Sequence, residues 1–569
     1  MLSCLNLGCT EMPRQRPVFS FDVFDTCLLR LCGDSKNLFE VLSKKVLDLM
    51  CLGNDGEQLR KLFVWLRSKT GGMSLYDIYT QINKEFRLPC SIEKMVLLEL
   101  QTEAEMLRPI EKTLRLVEGL RKRGDVIFIS DMYLPDGFIR EQLTVTGFFH
   151  EGDRLYVSNT VGAWKYDGSL FKLIHERDGI DYRHWHHYGD SRHSDVKIPQ
   201  KLGIDAHWLH FDYLPYEQKW INDILTTGYQ YPSILAGVSR AIRLTSTTSQ
   251  CQVDFVSNIS APVMTTWVYG VLCDAYKSGI RRIFFLARDT HSYLVIAREL
   301  QSLFPDIELK YLFVSRQSLY NDNPLRIKYF EQEGLASHDH VAVVDIATTG
   351  KTLCVINQVL SQNGYSPINK FYCFFGLNMQ GVTTEMDEDM DQMMAENKSI
   401  TYCAFKQYLS AVENRLLNRL TNHVVFVEAL FSLNYHGRTV DYCQHGDKIR
   451  PVLEPDSETP WSFCERDERN MKKNNDSLLK YYINAMQTTL LTDYSQQILE
   501  RIAVPTLANF FNNPRKVYLE YVRLFQLVGV SYVDRRWKKN IWKRGSTVYT
   551  FPEFWVKLLD KLKRRHSDV

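Results

Sequence analysis

The sequence predicts an α/β protein: a parallel sheet wound by helices with a helical insertion, then a second α/β block, then a helical C-terminal region. Three observations predict this. Short apolar runs alternate with segments of helical spacing across about residues 17–215, and again across about 255–440. Several runs end in an acid or a hydroxyl, as the carboxyl ends of parallel strands do at functional crevices. Between about residues 35 and 105 helical spacing continues with no strand.

In chain order, Val18–Phe21 is an apolar run that ends at Asp22 and reads as a buried strand. The stretches FEVLSKKVLDLM, LYDIYTQINKEF and IEKMVLLELQTEAEMLRPI make the insertion. Thr113–Arg123 reads as a helix, Gly124 as a break, Val126–Ile129 and Leu155–Val157 as strands. Leu170–Arg177 is a helix, and His184–Tyr188 a strand running into Gly189 and Asp190. The second block reads as helix Ala261–Ser278, strand Ile283–Leu286, helix His291–Phe304 and strand Glu308–Val314. Strand Val341–Asp345, helix Thr352–Asn363 and strand Phe371–Leu377 follow. Thr383–Lys398, rich in Met, Asp and Glu, reads as a loop or a weak helix. Residues of about 465–569 are helix-rich and aromatic.

The 569 residues are too many for one ordinary domain. Lys and Arg total 69 and Asp and Glu 67, a net charge of +2 that gives no electrostatic case for a nucleic-acid partner. A basic cluster (Arg535, Arg536, Lys538, Lys539, Lys543, Arg544, then Lys561, Lys563, Arg564 and Arg565) interleaves with Trp537, Trp542, Phe551 and Trp555. It reads as a solvated helical face, or as a peripheral contact with an anionic membrane surface or protein partner. The 13 cysteines contain no CxxC pair, which fits reduced thiols in a cytoplasmic chain. No signal peptide is evident, and no stretch is long and apolar enough for a transmembrane segment; Ile259–Cys273 reads as a buried helix.

Four signals fall in order in the first block. FSFDVFDTCLLR carries Asp22 at a strand end, with Thr26 and Arg30 beyond it. VIFISDMYLP ends a strand in Ser130. WKYDGSLF supplies Lys165, and YGDSRHSD supplies Asp190 and Asp195. A carboxylate can take a phosphoryl group as an aspartyl-phosphate. Nucleophile and phosphate are both anionic, so the chemistry needs Lys165 and an oxygen-ligated Mg²⁺. Singly each signal is an ordinary turn or surface residue. Together they resemble the haloacid dehalogenase (HAD) superfamily over residues 17–215.

That resemblance implies a Rossmann-like core with a helical C1-type cap at about 35–105. It implies Asp22 as nucleophile, Ser130 and Lys165 as orienting groups, and a metal held by Asp22, the Phe24 backbone carbonyl, Asp190 and Asp195. Thr26 and Arg30 are expected to contact substrate. The family's phosphatases place a second Asp two residues after the nucleophile, where this chain has Phe24; the ring cannot move a proton, and Asp25 is one residue too far. An aromatic at that position also resembles the family's true dehalogenases. Three readings stay open: a phosphohydrolase or phosphotransferase for a small phosphorylated metabolite, a non-catalytic ligand-binding module, and a C–X hydrolase. FDVFDTCLLR with ISDMYLP, FFLARDTHSY at 284–293 and VEALFSLNYHG at 427–437 resemble a bacterial subgroup found with surface-polysaccharide glycosyltransferases. It implies a sugar phosphate as substrate.

In the second block, VAVVDIATTGKTL at 341–353 reads as strand, small-residue turn and helix start. It resembles the diphosphate-ribose loop of phosphoribosyltransferases but has Val344 in place of the first acid. Asp345, Thr348, Thr349, Gly350 and Thr352 are the candidate phosphate-binding residues, with Arg288 and Asp289 beside them; plain strand–turn–helix capping is the alternative. His186, His187 and His193 flank the fourth signal without H-x₃-H spacing, so solvent or supporting roles are expected of them.

Overall fold

The computed structural model describes residues 16–52, 56–70, 74–214, 217–218, 231–246, 253–254, 256–336, 340–348, 351–368, 370–376, 402–403, 436–455 and 465–489. The chain is α/β with parallel sheets, as its alternating pattern predicts, and it falls into two compact units. Among the described residues, one unit runs to Asn258 and takes in Tyr481–Thr489; the other runs from Ile259 to Lys480.

In the first unit the strands are β1 (Val18–Phe21), β2 (Leu28–Arg30), β3 (Leu107–Pro109), β4 (Asp125–Ser130), β5 (Arg154–Val157), β6 (Trp185–Gly189) and β7 (Asp205–Trp208). The sheet order is β5-β4-β1-β6-β7, and every neighbouring pair is parallel. Side chains alternate across it. Phe19, Phe21, Val126 and Phe128 enter one core cluster; Val18, Ile127, Ile129 and Trp185 enter another. Burial on both faces explains why β1 and β4 read as unbroken apolar runs.

The insertion is helical from end to end among the described residues: α1 (Leu38–Leu49), α2 (Glu57–Lys69), α3 (Leu75–Glu85) and α4 (Ile92–Met106). Ser74 and Ser91 cap α3 and α4 by accepting from the amides of Asp77 and Lys94. Leu42, Phe63, Ile78 and Met95 pack into the same core as Phe21 and Phe128, so the insertion and one sheet face share a core. The antiparallel pair β2–β3 closes the insertion's two entry strands on each other. Next come α5 (Glu111–Arg121) and α6 (Asp136–Val145).

A helix absent from the sequence reading, Tyr231–Thr245, belongs to this unit. It lies so close to the end of β2 that a Cβ at Gly237 would meet the Cys32 backbone at 2.2 Å.

The second unit holds β8 (Arg282–Leu286), β9 (Glu308–Leu312), β10 (Val341–Thr348), β11 (Lys370–Gly376) and β12 (Tyr402–Cys403), in the parallel order β12-β11-β10-β8-β9. Two expectations need correction. Strand β10 does not stop at Asp345 but runs to Thr348, because its pairing with β11 continues to Thr348 opposite Gly376. The helix expected over His291–Phe304 ends at Glu299 and gives way to a 3₁₀ turn at Gln301–Leu303. An antiparallel hairpin of β13 (Thr439–His445) and β14 (Lys448–Leu453), not foreseen, puts Tyr442 and Ile449 into this unit's core. The helix expected near Ile259–Cys273 spans Ala261–Lys277. Thr383–Lys398, Thr349, Gly350 and the basic-aromatic cluster lie outside the described residues.

Candidate active site

Four chain segments arrive at the carboxyl ends of β1, β4 and β6. Asp22 follows β1, and its amide donates to the Tyr188 carbonyl at 2.8 Å, carrying the pairing one residue past the strand. Lys165 Nζ donates to Asp22 Oδ1 at 2.5 Å and to Asp195 Oδ1 at 2.7 Å. Ligand oxygens of Asp22, Asp190 and Asp195 all lie within 4.8 Å of one another. Asp22, Lys165 and Asp195 are buried, while Asp190 opens toward solvent. Residues separated by up to 173 positions (195 − 22) thus meet at one point.

Each member is held. Asp131 accepts from the amides of Lys165 (2.9 Å) and Tyr166 (3.2 Å), pinning the loop that delivers the lysine. Asp195 sits on the turn Arg192–Lys197, and its Oδ2 accepts from the Ser191 amide at 2.9 Å. Gly189 is required by this approach: a Cβ there would lie 2.4 Å from the Asp195 carboxyl carbon.

Behind Asp195 is buried His187, whose Nε2 lies 3.1 Å from Asp195 Oδ1 and whose Nδ1 lies 2.7 Å from Ser20 Oγ. Burial lowers the His187 pKa, so the ring is neutral and carries one proton. The carboxylate can only accept, which puts that proton on Nε2. Ser20 then donates to Nδ1 and accepts from Trp185 Nε1 at 2.7 Å.

The charges decide what the cluster can hold. Burial, then the nearby charges of Asp195 and Asp190, push the Asp22 carboxyl up to about 8 against the opposing pull of Lys165. Burial, with Asp25 and Asp195 nearby, pushes Asp190 up to about 6. Burial also acts upward on Asp195, but Lys165 and His187 outweigh it and hold it below the usual carboxylate range. With all three carboxyls ionised, as a bound cation would favour, three carboxylates against one ammonium would leave two negative charges around the site. An all-oxygen set with that deficit fits a hard divalent cation such as Mg²⁺.

The other expected residues are placed as follows. Ser130 is the last residue of β4 and is buried. Thr26 is buried, and its Oγ1 has no hydrogen-bond partner among the described residues. Phe24 is half-buried under the Arg30 guanidinium, 4.5 Å from the ring centroid. Arg30 itself is committed to Glu103 of α4, with Nε and Nη2 each 2.6 Å from Oε1. Asp25 takes a left-handed backbone (φ 58°) and accepts from Arg240 at 2.7 Å.

The sequence alone gives no site role to Asp131, Glu103 or Arg240. Asp131 does stand in ISDMYLP, directly after Ser130. Arg240 lies 215 positions from Asp25 and carries no local signal.

In the second unit, Asp345 lies inside β10, and burial with Asp289 nearby raises its pKa to about 7. Arg288 pairs with Asp289 at 3.2 Å, and its carbonyl accepts from Tyr311 at 3.3 Å. Thr348 ends β10, and Thr352 is in the first turn of helix Lys351–Gln362.

No protein-family model matches the chain, and no curated protein matches it. Among solved structures, it is similar to a HAD phosphatase from Thermococcus onnurineus at 20% identity and TM-score 0.26, over 34% of this chain and 87% of that one. It is similar to a HAD family enzyme from Bacteroides thetaiotaomicron in complex with magnesium at 18% identity and TM-score 0.25, over 35% and 94%. It is also similar to a hydrolase from Streptococcus pneumoniae at 15% identity and TM-score 0.21, over 37% and 100%. Two of these three structures are HAD proteins, and the third is a hydrolase.

Proposed function

We propose that the first unit is a Mg²⁺-dependent phosphohydrolase or phosphotransferase that works through an aspartyl-phosphate on Asp22. One observation carries the reading: the oxygens of Asp22, Asp190 and Asp195 converge within 4.8 Å, with Lys165 bridging two of them. Asp22, Asp190 and Asp195, with the Phe24 carbonyl, would hold the cation. Bound there, it would neutralise the phosphoryl group and draw Asp22 into its ionised form.

The chain's own residues do the rest. Asp22 Oδ attacks phosphorus as the ester P–O bond breaks, and the oxygen leaves with both electrons. Lys165, protonated between two carboxylates, holds the nucleophile's orientation and balances charge during transfer. The Ser130 hydroxyl, at the edge of the neighbouring strand, donates to the transferred group. Water or an acceptor alcohol then takes the phosphoryl group and regenerates Asp22.

Phe24 supplies no proton to the departing oxygen, so substrates with stable leaving groups are favoured. The substrate is a small phosphorylated metabolite. A sugar phosphate of surface-polysaccharide synthesis in a bacterial cytoplasm is the reading the motif wording supports. The second unit would bind a phosphorylated ligand near Arg288, Asp289, Asp345 and Thr352.

A second reading rests on Phe24: an aromatic ring stands at the position of the acid, which suits a binding module or a C–X hydrolase. The purified chain should be assayed with Mg²⁺ against phospho-sugars, nucleotides and acetyl phosphate, then with Asp22→Asn. Phosphate release abolished by that change supports the enzyme. Ligand binding without release on any ester supports the module, and halide release from a 2-haloacid supports the C–X hydrolase.

A further inference from the structure

We propose that His186, Asp205 and His207 form a second cation site, for a zinc-class transition metal, on the sheet face opposite His187.

Strands β6 and β7 run parallel with His186 opposite Asp205 and Tyr188 opposite His207. Residues paired in register, or two apart on one strand, share a face, so all four side chains stand together. His187, one residue along, points the other way, toward Asp195. His186 Nδ1 lies 2.9 Å from Asp205 Oδ2, and His207 Nε2 lies 3.2 Å from that same oxygen. The three ligand atoms fit within 4.8 Å of one another. Around tetrahedral zinc, with bonds of about 2.0–2.1 Å, neighbouring ligand atoms stand about 3.3 Å apart. The two separations to Asp205 Oδ2, 2.9 and 3.2 Å, lie close to that value.

The second observation is an unsatisfied nitrogen. His207 Nε2 is shielded from solvent and has no hydrogen-bond partner among the described residues, even though Asp205 Oδ2 is 3.2 Å away. The carboxylate is near but off the line a hydrogen bond needs. Two imidazole nitrogens therefore converge on one oxygen, and only His186 is bonded to it. A cation shared by all three would satisfy the orphaned nitrogen.

The rings are also held in place. His207 stacks on Tyr188 with centroids 4.4 Å apart, and His186 stacks on Phe19 at 5.2 Å. Asp205 is the most exposed of the three, leaving the outer coordination position to water.

The donor set separates this site from the catalytic one. Asp22, Asp190 and Asp195 offer oxygens only, suiting Mg²⁺; two imidazoles and a carboxylate suit Zn²⁺, Ni²⁺ or Cu²⁺. Because β7 is the sheet's edge strand, a bound ion would clip it to β6 and raise the unit's thermal midpoint by mass action. Sequence spacing hid the set, because its second imidazole comes from the next strand, 21 positions (207 − 186) along the chain.

The test is a Zn²⁺ titration of the full chain in excess Mg²⁺, which occupies the all-oxygen site. One Zn²⁺ per chain should bind. Asp205→Asn and His207→Gln should each weaken binding roughly tenfold or more. No Zn²⁺ uptake against Mg²⁺, or unchanged affinity in both variants, overturns the proposal. A measurement on unaltered protein stands beside it: Zn²⁺ should protect His186 and His207, but not exposed His193, from diethyl pyrocarbonate. Equal modification of all three with and without Zn²⁺ overturns it independently.

Discussion

The two units are built from the same parts and finish them differently. Each has five parallel strands with an acid on a central strand. Numbered by appearance within each sheet, the first has the order 3-2-1-4-5 and the second 2-1-3-4-5. In the first, the acid after β1 is met by a lysine bridging to a second carboxylate, with a third beside them. In the second, Asp345 inside β10 is accompanied by Asp289, whose own charge is shared with Arg288. The sheet supplies a crevice, but convergence of charges makes a reaction centre.

The two acids should differ most in catalysis. Asp22→Asn should lower Mg²⁺-dependent phosphate release on the order of 10⁴-fold or more. Asp345→Asn should leave it within about twofold, as read by steady-state phosphate assay.

The next contrast is in stability. Lys165→Met strands buried Asp22 and Asp195 without their cation and should cost about 3–5 kcal/mol. Arg288→Met removes a partly exposed pair and should cost about 1 kcal/mol or less. Denaturant unfolding of the two variants reads both, and equal losses would erase the contrast.

Phe24→Asp tests the missing proton donor of the first site. A proton donor at that position should raise kcat/KM for alkyl phosphates about 10²-fold while leaving acetyl phosphate, which needs no such help, nearly unchanged. A uniform change on both substrates would contradict it.

A further contrast lies in pH dependence. The folded Asp345 carboxyl, raised to about 7, holds its proton where the unfolded chain has released it. Its contribution to stability is therefore intact below about pH 4 and is lost as pH rises toward 7. Asp345→Asn should flatten the fall in thermal midpoint between those values; an unchanged slope would remove Asp345 as its source.

Much of the first site was legible because each strand announces its acid locally. Apolar run, acid and turn identify Asp22 and Asp190, and the helical insertion is visible in its periodicity. Side-chain commitments across the chain were not legible. Nothing near Arg30 says that Glu103 takes it up. Nothing near Asp25 points to Arg240 on a helix far downstream. In the second unit the turn residues ATTG suggested an early strand end, but pairing with β11 extends β10 through Thr348. Long-range pairing overrode local turn chemistry.

The most direct measurement is a rapid acid quench of the full chain with Mg²⁺ and acetyl phosphate, followed by peptide mass analysis. A phosphoryl group should appear on Asp22 and be absent without Mg²⁺. Phosphoryl label on another residue, or turnover with Asp22 never labelled and Asp22→Asn fully active, would contradict it.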